Sequence, residues 1–228
     1  MGPPWYGAPV EGDSIYNGAR DNATGTASLL AIAEAMKATG PYKRSIVFLW
    51  VTAEEQGLLG SAYYASNPLF PSRQTVANIN IDGMAAYGEM NDLSIIGYGQ
   101  SEMESYAKRW AEKQNRYILP DQEPEKGYFF RSDHFNFAKI GIPALYAHGS
   151  FDHREKGKEY AKEKSDEYRT TAYHLPADEF VPETFELGGI MQDATLFMQV
   201  AAELGNNQDW PEWKPNSEFK AVREADQK

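Results

Sequence analysis

Seven consecutive residues constrain this chain more than any others. Ser45-Ile46-Val47-Phe48-Leu49-Trp50-Val51 is an unbroken run, almost wholly apolar and carrying β-branched side chains. A strand with one face in water alternates polar and apolar side chains. A continuous run instead predicts a strand buried on both faces, as in a largely parallel sheet with helices on either side. The flanking pattern agrees. Asp21-Asn22-Ala23-Thr24-Gly25 leads into residues 26–37, where Leu29, Ile32, Ala33 and Met36 recur at helical spacing, and Gly40-Pro41 ends the helix.

Further strands are expected at 76–81, 93–96 and 142–146, and helices at 57–65, 100–115, 133–139 and 182–204. Residues 117–130 read as irregular and proline-bearing. Residues 151–169, dense in Lys, Glu and Asp, read as a solvated loop or exposed helix. Strands alternating with helices predict a three-layer α/β/α sandwich around a mostly parallel, mixed sheet.

The 228 residues suit one domain, here expected over 1–205, with a polar extension at 206–228 read as a strap on the surface or a partly disordered tail. A net charge of −11 argues against nucleic acid as a partner. The absence of cysteine removes disulfides, thiolate ligands and cysteine nucleophiles. No apolar run reaches membrane-spanning length, and Met1-Gly2-Pro3-Pro4-Trp5 lacks the regions of a signal peptide.

Acidic and histidine residues stand where strands give way to loops: Asp21, the pair Glu54-Glu55, Asp82 and His174. In open α/β sheets, sites form beyond the carboxyl ends of strands, so residues distant in sequence can converge there. Carboxylates and imidazole suit zinc, and a carboxylate beside such a cluster can act as a base. Each residue also has a plain structural use. Asp21 could cap the helix that follows it. The glutamates could form an acidic first helical turn. Asp82, before Gly83, could serve a turn, and His174 could be a surface histidine. Spacing alone leaves these alternatives open.

Five blocks in order resemble the co-catalytic di-zinc aminopeptidase family, which also includes glutamate carboxypeptidase relatives and glutaminyl cyclases. They are residues 21–25, 52–61 (Thr-Ala-Glu-Glu-Gln-Gly-Leu-Leu-Gly-Ser), 80–84 (Asn-Ile-Asp-Gly-Met), 131–135 (Arg-Ser-Asp-His-Phe) and 173–178 (Tyr-His-Leu-Pro-Ala-Asp). The resemblance spans residues 12–200 and implies roles by position. Asp21 matches a carboxylate that bridges two zinc ions, Glu54 the general base, and Glu55 a ligand of one zinc. Asp82 matches a ligand of the other, and His174 the histidine that shares its zinc with Glu55. The block at Ser132-Asp133-His134 is read as structural support, with Asp133 free to cap the next helix. Tyr128 is a candidate donor to an oxyanion or wall of the substrate pocket.

One departure from the family's pattern carries an expectation. The family has a His-x-Asp segment on a strand before the Asn-rich loop, whereas all four histidines here lie at 134 or later. The chain is therefore expected to lack the family's first strands. One zinc site would be complete (Asp21, Glu55, His174) and the other short of a ligand (Asp21, Asp82), unless His148 or His153 supplies a nitrogen. Two zinc ions are expected in an intact site and at most one well bound here, with weak or no activity. The resemblance implies hydrolysis of N-terminal peptide bonds in the intact protein, in the periplasm or outside the cell. A carboxypeptidase, a glutaminyl cyclase or a non-catalytic binding domain are the alternatives. An exposed sheet edge makes a homodimer a secondary expectation.

Overall fold

The computed structural model describes residues 9–226. Its sheet has four strands: β1 (Asn78–Asn80), β2 (Asp92–Ile95), β3 (Tyr117–Pro120) and β4 (Ala144–His148). Their order is β1-β4-β2-β3. β1 runs parallel to β4 with Ile79 opposite Leu145, and β3 parallel to β2 with Ile118 opposite Leu93. β2 and β4 are antiparallel, with Ile95 opposite Ala147. The sheet is thus mixed and open.

Successive side chains of a strand face opposite ways, and β4 shows what covers each face. Leu145 and Ala147 are buried in the main core with side chains from α1 (Thr24–Thr39), α3 (Met103–Lys113) and α6 (Gly188–Asn206). Among these are Ile32, Met36, Met103, Phe197 and Val200. Tyr146 turns the other way, its ring 4.9 Å from that of His134 at the start of α4 (His134–Lys139). α4 packs on β1 and β4, and α2 (Leu59–Ser66) packs on α4. Helices therefore cover both faces.

The run at 45–51 departs from expectation. Among the described residues it has no hydrogen-bonded neighbouring strand, and its side chains are only partly covered. Ile46 and Phe48 pack against the main core, while Val47 and Trp50 are 48% and 44% exposed. A strand exists only when another backbone accepts its hydrogen bonds, and no described segment lies alongside this one to do so. Residues 117–130 also differ, since Tyr117–Pro120 pairs with β2. A proline is tolerated there because β3 is an edge strand and Pro120 is its last residue. The last long helix begins at Gly188 rather than 182.

Of the residues of α5 (Gly157–Thr171), Ala161 is buried, in keeping with an exposed helix. The segment after 205 is polar but anchored. Trp213 and Phe219 are buried against Ala138, and the Trp213 indole donates to the Gly141 carbonyl (2.8 Å). A seven-residue helix, α7 (Lys220–Asp226), follows. Among the described residues no helix is long and apolar enough to cross a membrane.

Candidate metal centre

Four turns carry the candidate site residues. Asp21 lies in the tight turn Ala19–Ala23 ahead of α1, and its peptide bond to Asn22 is cis. The Asn22 amide ties this turn to the end of β1, donating to the Ile81 carbonyl (2.9 Å) and accepting from the Gly25 N–H (3.0 Å). A side chain at position 25 has no room: a Cβ there would lie 2.4 Å from Asn22 Oδ1 and 2.7 Å from the Ile81 carbonyl. Asp21 makes no side-chain cap to α1.

Glu54 and Glu55 follow the 45–51 run, where the chain turns at Ala53 (φ 56°). The Gly57 and Leu58 N–H groups donate to the Glu54 carbonyl at 3.0 and 2.7 Å, closing the turn. Asp82 comes just beyond β1. His174, held at φ 57°, comes just beyond α5.

The structure brings Asp21, Glu55 and His174 together. His174 Nε2 lies 3.2 Å from Asp21 Oδ2 and 3.1 Å from Glu55 Oε2. One ligand atom from each residue falls within 4.8 Å of the others. Two carboxylates and an imidazole within that span are a donor set of the type zinc accepts, so the residues present fit the ion. The Tyr173 ring stacks on His174 with centroids 3.8 Å apart. Hydrogen bonds to Asp21 and Glu55 hold the His174 imidazolium, pushing its pKa up to about 10.

Glu54 stands beside this group. With Asp21, Glu55, Asp82 and Asp133 it lines a cavity of about 710 Å³ between the 45–51 run and β1. Burial, then the charges of Asp82 and Glu55, push Glu54 up to about 9. Burial and then Asp21 push Asp82 up to about 7. A cation among these groups would favour their ionised forms.

Asp82 is placed by a short relay. Ser132 Oγ donates to Asp82 Oδ2 (2.6 Å) and accepts from the Asn80 amide (2.8 Å). Ser132 thus bonds Asp82 to Asn80, whereas Asp133 does not cap α4 with its side chain. Asp133 accepts instead from the Ser61 hydroxyl, which also accepts from Asn136 Nδ2 at 2.8 Å. Tyr128, in the turn Tyr128–Phe130, has the Lys126 ammonium 5.9 Å from its ring and is not among the residues lining the cavity. His148 and His153 do not line it either. His153 Nδ1 accepts from the Glu155 and Lys156 N–H groups (3.1 and 3.0 Å), just before α5.

Residue types alone single out neither Asn80, which bonds Ser132, nor Tyr173, which stacks on His174. The sequence signal available was adjacency: both lie inside the blocks at 80–84 and 173–178.

A mixed α/β sheet thus carries an aspartate, a glutamate and a histidine whose ligand atoms converge, with a second glutamate beside them. The chain belongs to peptidase family M28, whose model matches residues 6–192. Solved structures share the fold. The zinc aminopeptidase BSAP from Bacillus subtilis is 24% identical with a TM-score of 0.63, over 92% of this chain and 46% of that one. LapA from Legionella pneumophila is 19% identical with a TM-score of 0.63, over 86% and 50%. A glutaminyl cyclase from Bacteroides thetaiotaomicron is 17% identical with a TM-score of 0.53, over 86% and 68%. The chain spans about half the length of the two aminopeptidase-like structures, BSAP and LapA.

Proposed function

We propose that this chain forms the catalytic region of a zinc-dependent aminopeptidase, with Asp21, Glu55 and His174 holding zinc and Glu54 as general base. The observation that carries the reading is the gathering of those three ligand atoms within 4.8 Å. Glu54 stands next to Glu55 in the chain and shares a cavity with it. Zinc bound here supplies the Lewis acidity that polarises a peptide carbonyl and acidifies a water molecule. Glu54 takes the proton from the attacking water and delivers it to the leaving amine. Tyr173 holds the His174 ring flat against its own and so limits imidazole rotation. Ser132 and Asn80 hold Asp82 at the cavity wall, where it would help to hold a second, more weakly bound ion. Among the described residues one group offers three donors at metal-binding distance. We therefore expect this chain alone to bind one zinc well and to turn over substrate weakly.

Paired variants test the assignment. Glu54→Gln should abolish turnover and leave zinc content nearly unchanged, whereas Glu55→Gln should weaken zinc binding; equal zinc loss in both would reverse or void the roles. Elemental analysis after dialysis against trace zinc gives the stoichiometry, and two tightly held ions with robust turnover would refute the single-ion expectation. Peptides with a free N-terminus, a free C-terminus or an N-terminal glutamine separate aminopeptidase from carboxypeptidase and cyclase activity. Export to the periplasm or beyond belongs to the same proposal, and fractionation of the native host that found the protein only in cytosol would overturn it.

A further inference from the structure

Asp178 directs its bonds at the turn that carries Asp21. Its Oδ1 accepts from the Arg20 N–H (2.9 Å) and its Oδ2 from the Asp21 N–H (3.0 Å). Its backbone carbonyl accepts from the Ala19 N–H (2.9 Å). Three successive N–H groups of one ligand-bearing turn therefore end on one residue. Asp178 is 5% exposed, and a carboxylate withdrawn from water is stable only where donors surround it. Tyr168 supplies another, its hydroxyl 3.2 Å from Oδ2. Burial and the Asp178 charge raise the Tyr168 pKa, so that hydroxyl keeps its proton and donates.

Asp178 also belongs to the turn that carries His174. Hydrogen bonds from Leu175 N–H to the Ala172 carbonyl (2.9 Å) and from Asp178 N–H to the Leu175 carbonyl (3.1 Å) make residues 172–178 a closed unit. Arg20 extends the joint to a third turn. Its guanidinium lies over the Tyr168 ring (4.0 Å) and near the Tyr87 ring (5.2 Å), and its Nε donates to the Met84 carbonyl (2.9 Å), two residues past Asp82.

We propose that Asp178, with Arg20, is a positioning residue that sets the distance between Asp21 and His174 by bonding the backbone of one ligand turn to the loop of the other. The proposal rests on the reading of Asp21, Glu55 and His174 as zinc ligands. Hydrogen bonds behind metal ligands typically change affinity 10–100-fold when lost. Here the bond acts on the backbone of the ligand rather than on its side chain. Asparagine at 178 can accept with one oxygen only, and it sets an N–H₂ against a backbone N–H where Asp178 offers its second oxygen.

The test measures zinc affinity by chelator competition and the visible spectrum of the cobalt-substituted protein, for wild type, Asp178→Asn and Asp193→Asn. Asp193 is a buried acid paired with Arg116 (2.6 Å) and bonded to the Gly149 N–H (3.0 Å), so its variant controls for general destabilisation. Asp178→Asn should bind zinc about 10–100-fold more weakly and shift the cobalt bands. Asp193→Asn should lower the melting temperature but leave affinity and spectrum unchanged. Wild-type affinity and an unshifted spectrum in Asp178→Asn would overturn the proposal, as would matching zinc losses in the two variants. Should Asp178→Asn fail to fold, Tyr168→Phe removes one donor to Oδ2 and keeps the backbone bonds. A severalfold loss with shifted bands is then expected, and no change would overturn the proposal. Zinc binding absent from the wild type itself would overturn the metal-centre reading, and this proposal with it; zinc bound by the wild type and bound equally well by Asp178→Asn strikes the positioning role alone.

Discussion

His174 without metal is an imidazolium held between Asp21 and Glu55, and its proton must leave before Nε2 can ligate. With a pKa of about 10 the group is protonated at pH 8, as is Glu54 at about 9. Zinc binding at pH 8 should therefore release at least about one proton per ion. Titration calorimetry in buffers of different ionisation enthalpy reads that number directly, and a heat independent of buffer would contradict it.

His134 offers a second pH effect, on stability. It is 1% exposed between Phe129 and Tyr146, and burial lowers its pKa from 6.5 to about 3. The unfolded chain thus binds a proton that the folded chain refuses. The stability this contributes is present in full above pH 6.5 and is lost as pH falls from there toward 3. His134→Phe should flatten that part of the stability–pH curve in denaturant titrations. An unchanged slope between pH 6.5 and 4 would count against it.

At the scale of elements, neighbours along the chain account for the helices. The spacing of Leu29, Ile32, Ala33 and Met36 matches α1, and Gly40 closes it with its N–H on the Met36 carbonyl (2.9 Å). Strands are less legible, because each needs a partner distant in sequence. The run at 45–51 has the stronger apolar signal yet lies unpaired. Tyr117–Pro120, weaker in composition, forms a strand because β2 accepts it. Amides of 46–51 should accordingly exchange with solvent much faster than those of 145–147 in β4, which has neighbours on both sides. Equal protection measured by hydrogen exchange would mean that 45–51 has found a partner strand in solution, for which a second copy of the chain is the expected source.

For the molecule as a whole, the proposed ligands come from turns far apart in sequence, so a metal held by them in the folded chain would have little affinity for the unfolded one. Saturating zinc should raise the melting temperature, by an amount equivalent to about 2.7 kcal/mol at a hundredfold excess over Kd, and a chelator should reverse it. The Glu55→Gln variant should show a smaller rise. A melting temperature indifferent to zinc would argue against a centre assembled only on folding.

The sequence by itself determined the class of scaffold and the positions where chemistry could stand. Periodicity and turn residues act between near neighbours, and Asp21, Glu54, Glu55, Asp82 and His174 stand at the turns such signals mark. The resemblance named Asp21, Glu55 and His174 as a set, but only the tertiary structure brought them within reach of one another. Asp21, Glu55 and His174 converge within 4.8 Å, while Asp82, bonded by Ser132, stands on the wall of the cavity that Asp21 and Glu55 also line. Only the tertiary structure, too, set Asp178 beneath Asp21, across 157 positions of sequence, and left 45–51 without a neighbour. Such pairings depend on where distant backbones come to lie, and no local pattern of residue types encodes that distance.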